Sequence, residues 1–303
     1  MPLPPASTDP CDLTDPSLRN ASPAQPAPLA LSDRRNRVMG LNNEQMFYAG
    51  LLDQVSLRAM GAWLIYASLG EPIRVQLGDG EWQSTDLAVV PPYAPHRVAC
   101  DQRLIACLTI EPETVDPAGL PALLRERQGV LPLDPQAAAL LARVRQGHAW
   151  LRGDGSGAVL QTADFDTLFF GQPLPARRLD ARIARALEDM RNEPSGAATA
   201  QQCAVLAGLS FSRFLHVFKA EVGPPIRRLR TWKRALSLFH HVSRDAHLVH
   251  VALDTGYPDS THFSHSIRQV YGLKPRDLFA GSRQLRVWGA PPARAAALAE
   301  AWR

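Results

Sequence analysis

Two runs of this sequence, about fifty residues apart, put the same kind of chemistry on one side of a helix. In AVLAGLSFSRFLHVFKAEVG, residues 204–223, that side carries Ser212, Arg213, His216 and Lys219. In VALDTGYPDSTHFSHSIRQVYG, residues 251–272, it carries Ser260, Thr261, His262, His265 and Arg268. Hydroxyls, imidazoles and fixed cations without an acid among them can donate to phosphate oxygens and to base edges, and a helix is the right width for the major groove of a duplex. The chemistry is that of binding, and no catalytic residue is assigned.

The remaining residues of each run explain how such a face is positioned. Ala204 and Ala252 are small where two helices cross closely, and Gly208 and Gly256 supply a turn that leaves no room for a side chain. Ser210 and Asp259 can accept from the first free amides of the following helix. Phe214 with Phe218, and Phe263 with Ile267, stand four apart and form a buried stripe opposite the polar face. Gly223 and Gly272 end the helices, and Pro225 and Pro275 follow to keep them from restarting. One such unit would be an ordinary helical hairpin with a solvated face. The repetition is what points to DNA.

From about Asp180 to Phe279 the chain resembles the AraC/XylS family of bacterial transcription regulators, most specifically in AxxxGYPDSTHFSHSIRQVYGLKP, residues 252–275. The resemblance implies two helix-turn-helix units joined by a long helix, here Pro225 to His241, with the two recognition helices in successive major grooves. By position it assigns base contacts to Ser212, Leu215 and His216, and to Ser260, Thr261 and His265. Where the family usually has arginine late in each recognition helix, this sequence has His216 and His265. The implied partners are promoter or operator DNA, RNA polymerase, a small-molecule effector and a second copy of the chain.

Charge supports a division into two domains. Residues 1–176 hold 13 Lys and Arg against 19 Asp and Glu, residues 177–283 hold 17 against 9, and residues 284–303 hold 3 against 1. A basic module attached to an acidic one fits a duplex binder whose partner domain stays off the DNA. With 303 residues, nearly half of them hydrophobic, the chain can bury one or two cores. No apolar run is long enough for a membrane span, and the proline-rich start is unlike a signal peptide, so a cytoplasmic location is expected. Cys11, Cys100, Cys107 and Cys203 show no metal spacing and read as reduced thiols.

The expected fold is α+β. Residues 1–32, rich in Pro, Ala, Ser and Asp, read as disordered, and Arg34, Arg35 and Arg37 as a solvated domain edge. Residues 33–133 read as a small β-barrel or jelly roll, from the runs WLIYASL, IRVQL, DLAVVPP and RLIACLTI and the turn Gly78–Gly80. VVPPYAPHRV, residues 89–98, resembles the strand and turn that cross the cupin-like sensor domain of many AraC/XylS members. Cupin enzymes bind metal through a cluster of histidines, and His96 is the only one before His148, so neither metal nor cofactor is expected. His96 is expected to satisfy a hydrogen bond at a strand edge. Trp63, Tyr66 and Trp82 read more simply as core, and with His96 they are the candidate lining of an effector site. A cupin-type isomerase or oxygenase with a passive helical domain is the alternative.

Residues 134–171 read as a helical hairpin, started by Asp134 and Pro135, whose apolar surface could either pair two copies or pack back on the barrel. Residues 172–178 are a proline-containing linker, residues 179–283 the double helix-turn-helix domain, and residues 284–303 a tail without a functional reading.

Overall fold

The computed structural model describes residues 37–42, 44–51, 55–102, 104–153, 162–192, 199–240, 251–253, 255–276 and 286–288. The expectations for residues 1–32, Arg34, Arg35 and the tail apart from 286–288 lie outside these.

The amino-terminal half is built from two sheets. The strands are β1 (Val38–Leu41), β2 (Gln45–Leu51), β3 (Trp63–Ser68), β4 (Ile73–Leu77), β5 (Gln83–Thr85), β6 (Leu87–Val90), β7 (His96–Ala99), β8 (Leu104–Ile110), β9 (Gly129–Val130) and β10 (Arg286–Trp288). The larger sheet runs β10-β1-β2-β8-β3-β6-β9 and the smaller β5-β4-β7. All pairings are antiparallel except β1 with β10. The turn after β6 crosses from the large sheet to the small one, and Tyr93 within it takes the left-handed conformation at φ 63°.

Side chains alternate along β3, so Leu64 and Tyr66 join the core shared with the small sheet while Ile65 and Ala67 face the other way. That second face is covered by helices α1 (Ala122–Glu126), α2 (Pro135–Arg152) and α3 (Thr162–Phe170). Because both faces are covered, β3, β6 and β8 read as continuous apolar runs.

The hairpin takes the second of its two expected courses. Asp134 caps α2 by accepting from the Ala137 amide, with Pro135 in the first turn. Leu140, Leu141, Val144, Phe165 and Phe169 are buried against the sheet, where the Phe47 and Phe169 rings stack with centroids 4.8 Å apart. Gly147 is needed there, since a Cβ would lie 2.5 Å from the Phe169 ring. Asp166 ties the hairpin to its neighbours, accepting from Gln45 Nε2 and from the Leu174 amide. These five apolar side chains are therefore covered within the chain. Arg37 departs from expectation as well, being buried and not at a solvated edge.

The carboxy-terminal half is helical: α4 (Ala181–Asn192), α5 (Ala200–Leu206), α6 (Phe211–Val222), α7 (Ile226–Ser237), a helical turn at residues 251–253, and α8 (Ser260–Tyr271). Ile183, Leu187, Phe214, Phe218, Leu229, Trp232, Phe263 and Ile267 form its core. That core is continuous with the one between the two sheets, and Met46, Met60 and Ala62 belong to it. From the tail, β10 returns to the first domain and lies parallel to β1, pairing Val38 with Arg286 and Gly40 with Trp288. It covers what would otherwise be an open sheet edge.

Candidate nucleic-acid interface

Both repeats fold as helix, turn and helix, and the same backbone bonds close both turns. In the first, Gly208 N donates to Val205 O at 3.0 Å and Leu209 N to Ala204 O at 3.0 Å; in the second, Gly256 N donates to Leu253 O and Tyr257 N to Ala252 O, each at 2.9 Å. Gly208 and Gly256 sit at φ 65° and 78°, in the region that favours glycine. The chain bends by 92° between α5 and α6, and Ala204 and Ala252 are buried. The second turn is one residue longer, because three positions separate Gly256 from its cap Asp259 and two separate Gly208 from Ser210.

Caps then fix where each recognition helix begins. Thr199 and Gln202 form a reciprocal capping box on α5, and Ser210 Oγ accepts from the Arg213 amide at the start of α6. Asp259 Oδ1 accepts from the Thr261 and His262 amides, both at 2.8 Å. These amides, with the His262 side chain, hold the Asp259 carboxyl below its ordinary range. Gly223 at φ 100° and Gly272 at φ 70° end the helices, with Lys219 and Arg268 in their last turns, where the helix dipole favours cations.

The two faces emerge as the spacing requires. Ser212, Arg213, Leu215, His216 and Lys219 are exposed on α6, and Ser260, Thr261, His262, His265 and Arg268 on α8. Phe214, Phe218, Phe263 and Ile267 are buried behind them. His262 differs from the rest, since its Nδ1 donates to Asp259 Oδ2 at 2.7 Å and draws the ring back over the cap. Among the cations counted in residues 177–283, Lys233 is buried and faces the first domain, so it is not part of this surface.

Of the four residues expected to line an effector site, two are brought together. Tyr66 and His96 meet in the core, with Tyr66 Oη and His96 Nε2 2.9 Å apart and His96 Nδ1 2.8 Å from Ala94 O. With Nδ1 donating to that carbonyl, Nε2 accepts from the tyrosine hydroxyl, and burial lowers the imidazole pKa to about 4. Both ring nitrogens are thus used, as expected for a histidine satisfied at a strand edge, and neither is left for a metal. Trp63, an odd number of residues from Tyr66 on β3, packs against the helix-covered face, and Trp82 is 42% exposed. Cys100, Cys107 and Cys203 are buried, and burial pushes the Cys107 thiol up to about 12. No single helix among the described residues is long and apolar enough to cross a membrane.

Residues 203–281 match the family model described as a helix-turn-helix domain. These residues are an AraC-type helix-turn-helix domain. Over 72 residues the chain is 31% identical to the invasion protein InvF of Salmonella typhi, a match covering 23% of this chain and 33% of that protein. The chain thus spans about a third of the length of the curated relatives it matches. Among solved structures, ToxT of Vibrio cholerae O395 aligns over 78% of this chain and 97% of its own, at 10% identity and a TM-score of 0.47. An AraC-type DNA-binding regulator from Chromobacterium violaceum aligns over 34% of this chain and 93% of its own, at 19% identity and a TM-score of 0.32. The AraC-type domain accounts for both repeats and for α7 between them.

Proposed function

We propose that the protein is a sequence-specific DNA-binding regulator of transcription that reads two successive major grooves with α6 and α8. The observation that carries this reading is the pair of capped helices, each with an exposed, donor-rich face over a phenylalanine-backed core. Duplex DNA is the partner, and RNA polymerase is the machine through which binding would alter transcription. The β-domain is assigned a cupin-like sensor role without metal, acting by presenting the AraC-type domain to paired sites. A second copy would be met on parts of α2 that the sheet leaves free, Trp150 among them.

Selection of bound fragments from random duplexes by the purified full-length chain tests this. A shared motif with two half-sites is expected, and recovery of duplexes without a common sequence contradicts the proposal. Within the motif, His216→Ala and His265→Ala should each cost about 1–3 kcal/mol and relax preference at one position. Lys219→Ala and Arg268→Ala should weaken all sequences alike and reduce the salt slope by about 1 each. His262→Ala should leave base preference unchanged, because its imidazole is held on Asp259. If His216→Ala and His265→Ala both bind like the parent, the reading face has been misplaced.

A further inference from the structure

Charge is also gathered at a buried place where the two halves meet. Where β8 ends, the chain continues through Glu111, Pro112 and Glu113, and both carboxylates turn toward α7. Lys233 Nζ pairs with Glu111 Oε2 and lies 2.5 Å from Glu113 Oε1, with side-chain exposures of 4%, 1% and 2%. Trp232 Nε1 donates to Glu111 Oε1 at 3.0 Å. Two carboxylates therefore face one ammonium out of water, and Glu113 Oε2 has no hydrogen-bond partner among the described residues. An arrangement so costly to desolvate holds together through its partners and comes apart when one is removed.

The surroundings show what it clamps. Tyr93, in its left-handed conformation, donates its amide to Met60 O at 2.7 Å and lies beneath the Arg228 guanidinium, 4.3 Å from the ring centroid. Gly61 abuts Trp232 so closely that a Cβ would fall 2.4 Å from its Cγ. Ala59 N donates to Val270 O at 3.2 Å, and Gly272 lies against Ser56 Oγ and Leu57 O. These contacts grip α7 and the last turn of α8. Toward the opposite end of α8, Ser260, Thr261, His262 and His265 stay exposed. The β-domain thus supports the second recognition helix from behind without covering it. The first unit is held differently, through an Arg191–Glu44 ion pair from α4.

We infer that Glu111, Glu113 and Lys233 form an interdomain joint that positions the second recognition helix against the first, so that the β-domain sets the affinity of the second half-site. This rests on the DNA-binding reading above. Lys233, Glu111 and Glu113 are positioning residues, remote from the faces that read DNA.

The test uses the full chain and duplexes recovered from random DNA, with each half-site assigned by the preference lost in His216→Ala or His265→Ala. Lys233→Met should weaken binding about tenfold, with the loss confined to the half-site of α8. Adding Glu111→Gln and Glu113→Gln to Lys233→Met removes the stranded carboxylates and should restore affinity to within about twofold. A local role of Lys233 in the AraC-type domain would not be rescued from the other domain. Parental affinity in Lys233→Met, equal loss at both half-sites, or failure of the rescue each overturns the joint. Where Lys233→Met does not fold, Gly61→Ala pushes on Trp232 with every charge intact. It should give the same selective loss, and parental affinity there overturns the joint too. A parental chain that selects no sequence would instead refute the DNA-binding reading.

Discussion

Trp232→Ala is expected to cost about 3–5 kcal/mol of stability and to loosen both domains together. The indole is almost wholly buried and lies where the two halves meet, between Gly61 of the β-domain and the Tyr271 ring, whose centroid is 6.2 Å away. Truncation leaves a large cavity and also removes the donor to Glu111, so a buried carboxylate loses a partner at the same time. Trp232→Phe should recover most of the packing and none of the hydrogen bond, and is expected to fall between Trp232→Ala and the parent. Urea unfolding followed by far-ultraviolet circular dichroism measures the loss. Protease cleavage in the linker at residues 172–178 reports whether the halves separate. A loss below about 1 kcal/mol, or cleavage no faster than in the parent, would show that the indole does not hold the halves together.

The double helix-turn-helix was legible in the sequence because each of its positions answers to local physics. Gly208 and Gly256 are required by positive φ, Ser210 and Asp259 by unpaired amides, and Phe214, Phe218, Phe263 and Ile267 by a helical period. The antiparallel β-domain was legible from its short apolar runs. The contact between the halves was not, although a trace of it is present. Ile226, Leu229 and Lys233 fall on one stripe of α7, so a lysine occupies a position the period reserves for an apolar residue. Glu111 and Glu113, directly after an apolar strand, are its complement. Neither segment alone says that they meet, because the pairing spans 122 residues of chain. The same holds for β10: three residues, Arg286–Trp288, carry no period, and their pairing with β1 depends on where the whole domain places them. For Trp63 and Tyr66 the reading overlooked the two-residue alternation of a strand, which sends them to opposite faces.

Stability should fall as pH rises from about 6.5 to 8, and Glu111→Gln should flatten the slope. Burial, reinforced by the like charge of Glu113, pushes the Glu111 carboxyl up to about 8 even with Lys233 beside it. Burial acts on Lys233 in the opposite sense, but the two carboxylates outweigh it and raise its pKa, so the ammonium stays charged across this range. With the Glu111 carboxyl protonated, the excess of negative charge around the Lys233 ammonium is relieved. A group whose pKa is raised in the folded state stabilises the fold fully below its unfolded value, near 4.3, and loses that contribution as pH climbs through the folded one. One proton held in the native state alone corresponds to about 1.4 kcal/mol per pH unit and is half lost at the folded pKa, so the loss between pH 6.5 and 8 is about 1–2 kcal/mol. The lower bound of the window is set by His96, whose depressed pKa of about 4 gives linkage of opposite sign as pH falls below about 6.5. Urea unfolding at pH 6.5, 7.3 and 8 measures the slope in parent and variant. In Glu111→Gln the amide oxygen can still accept from Trp232 Nε1, so the fold is kept while the proton is gone. A parental curve flat over this interval, or a slope that survives Glu111→Gln, would mean that Glu111 holds no proton there.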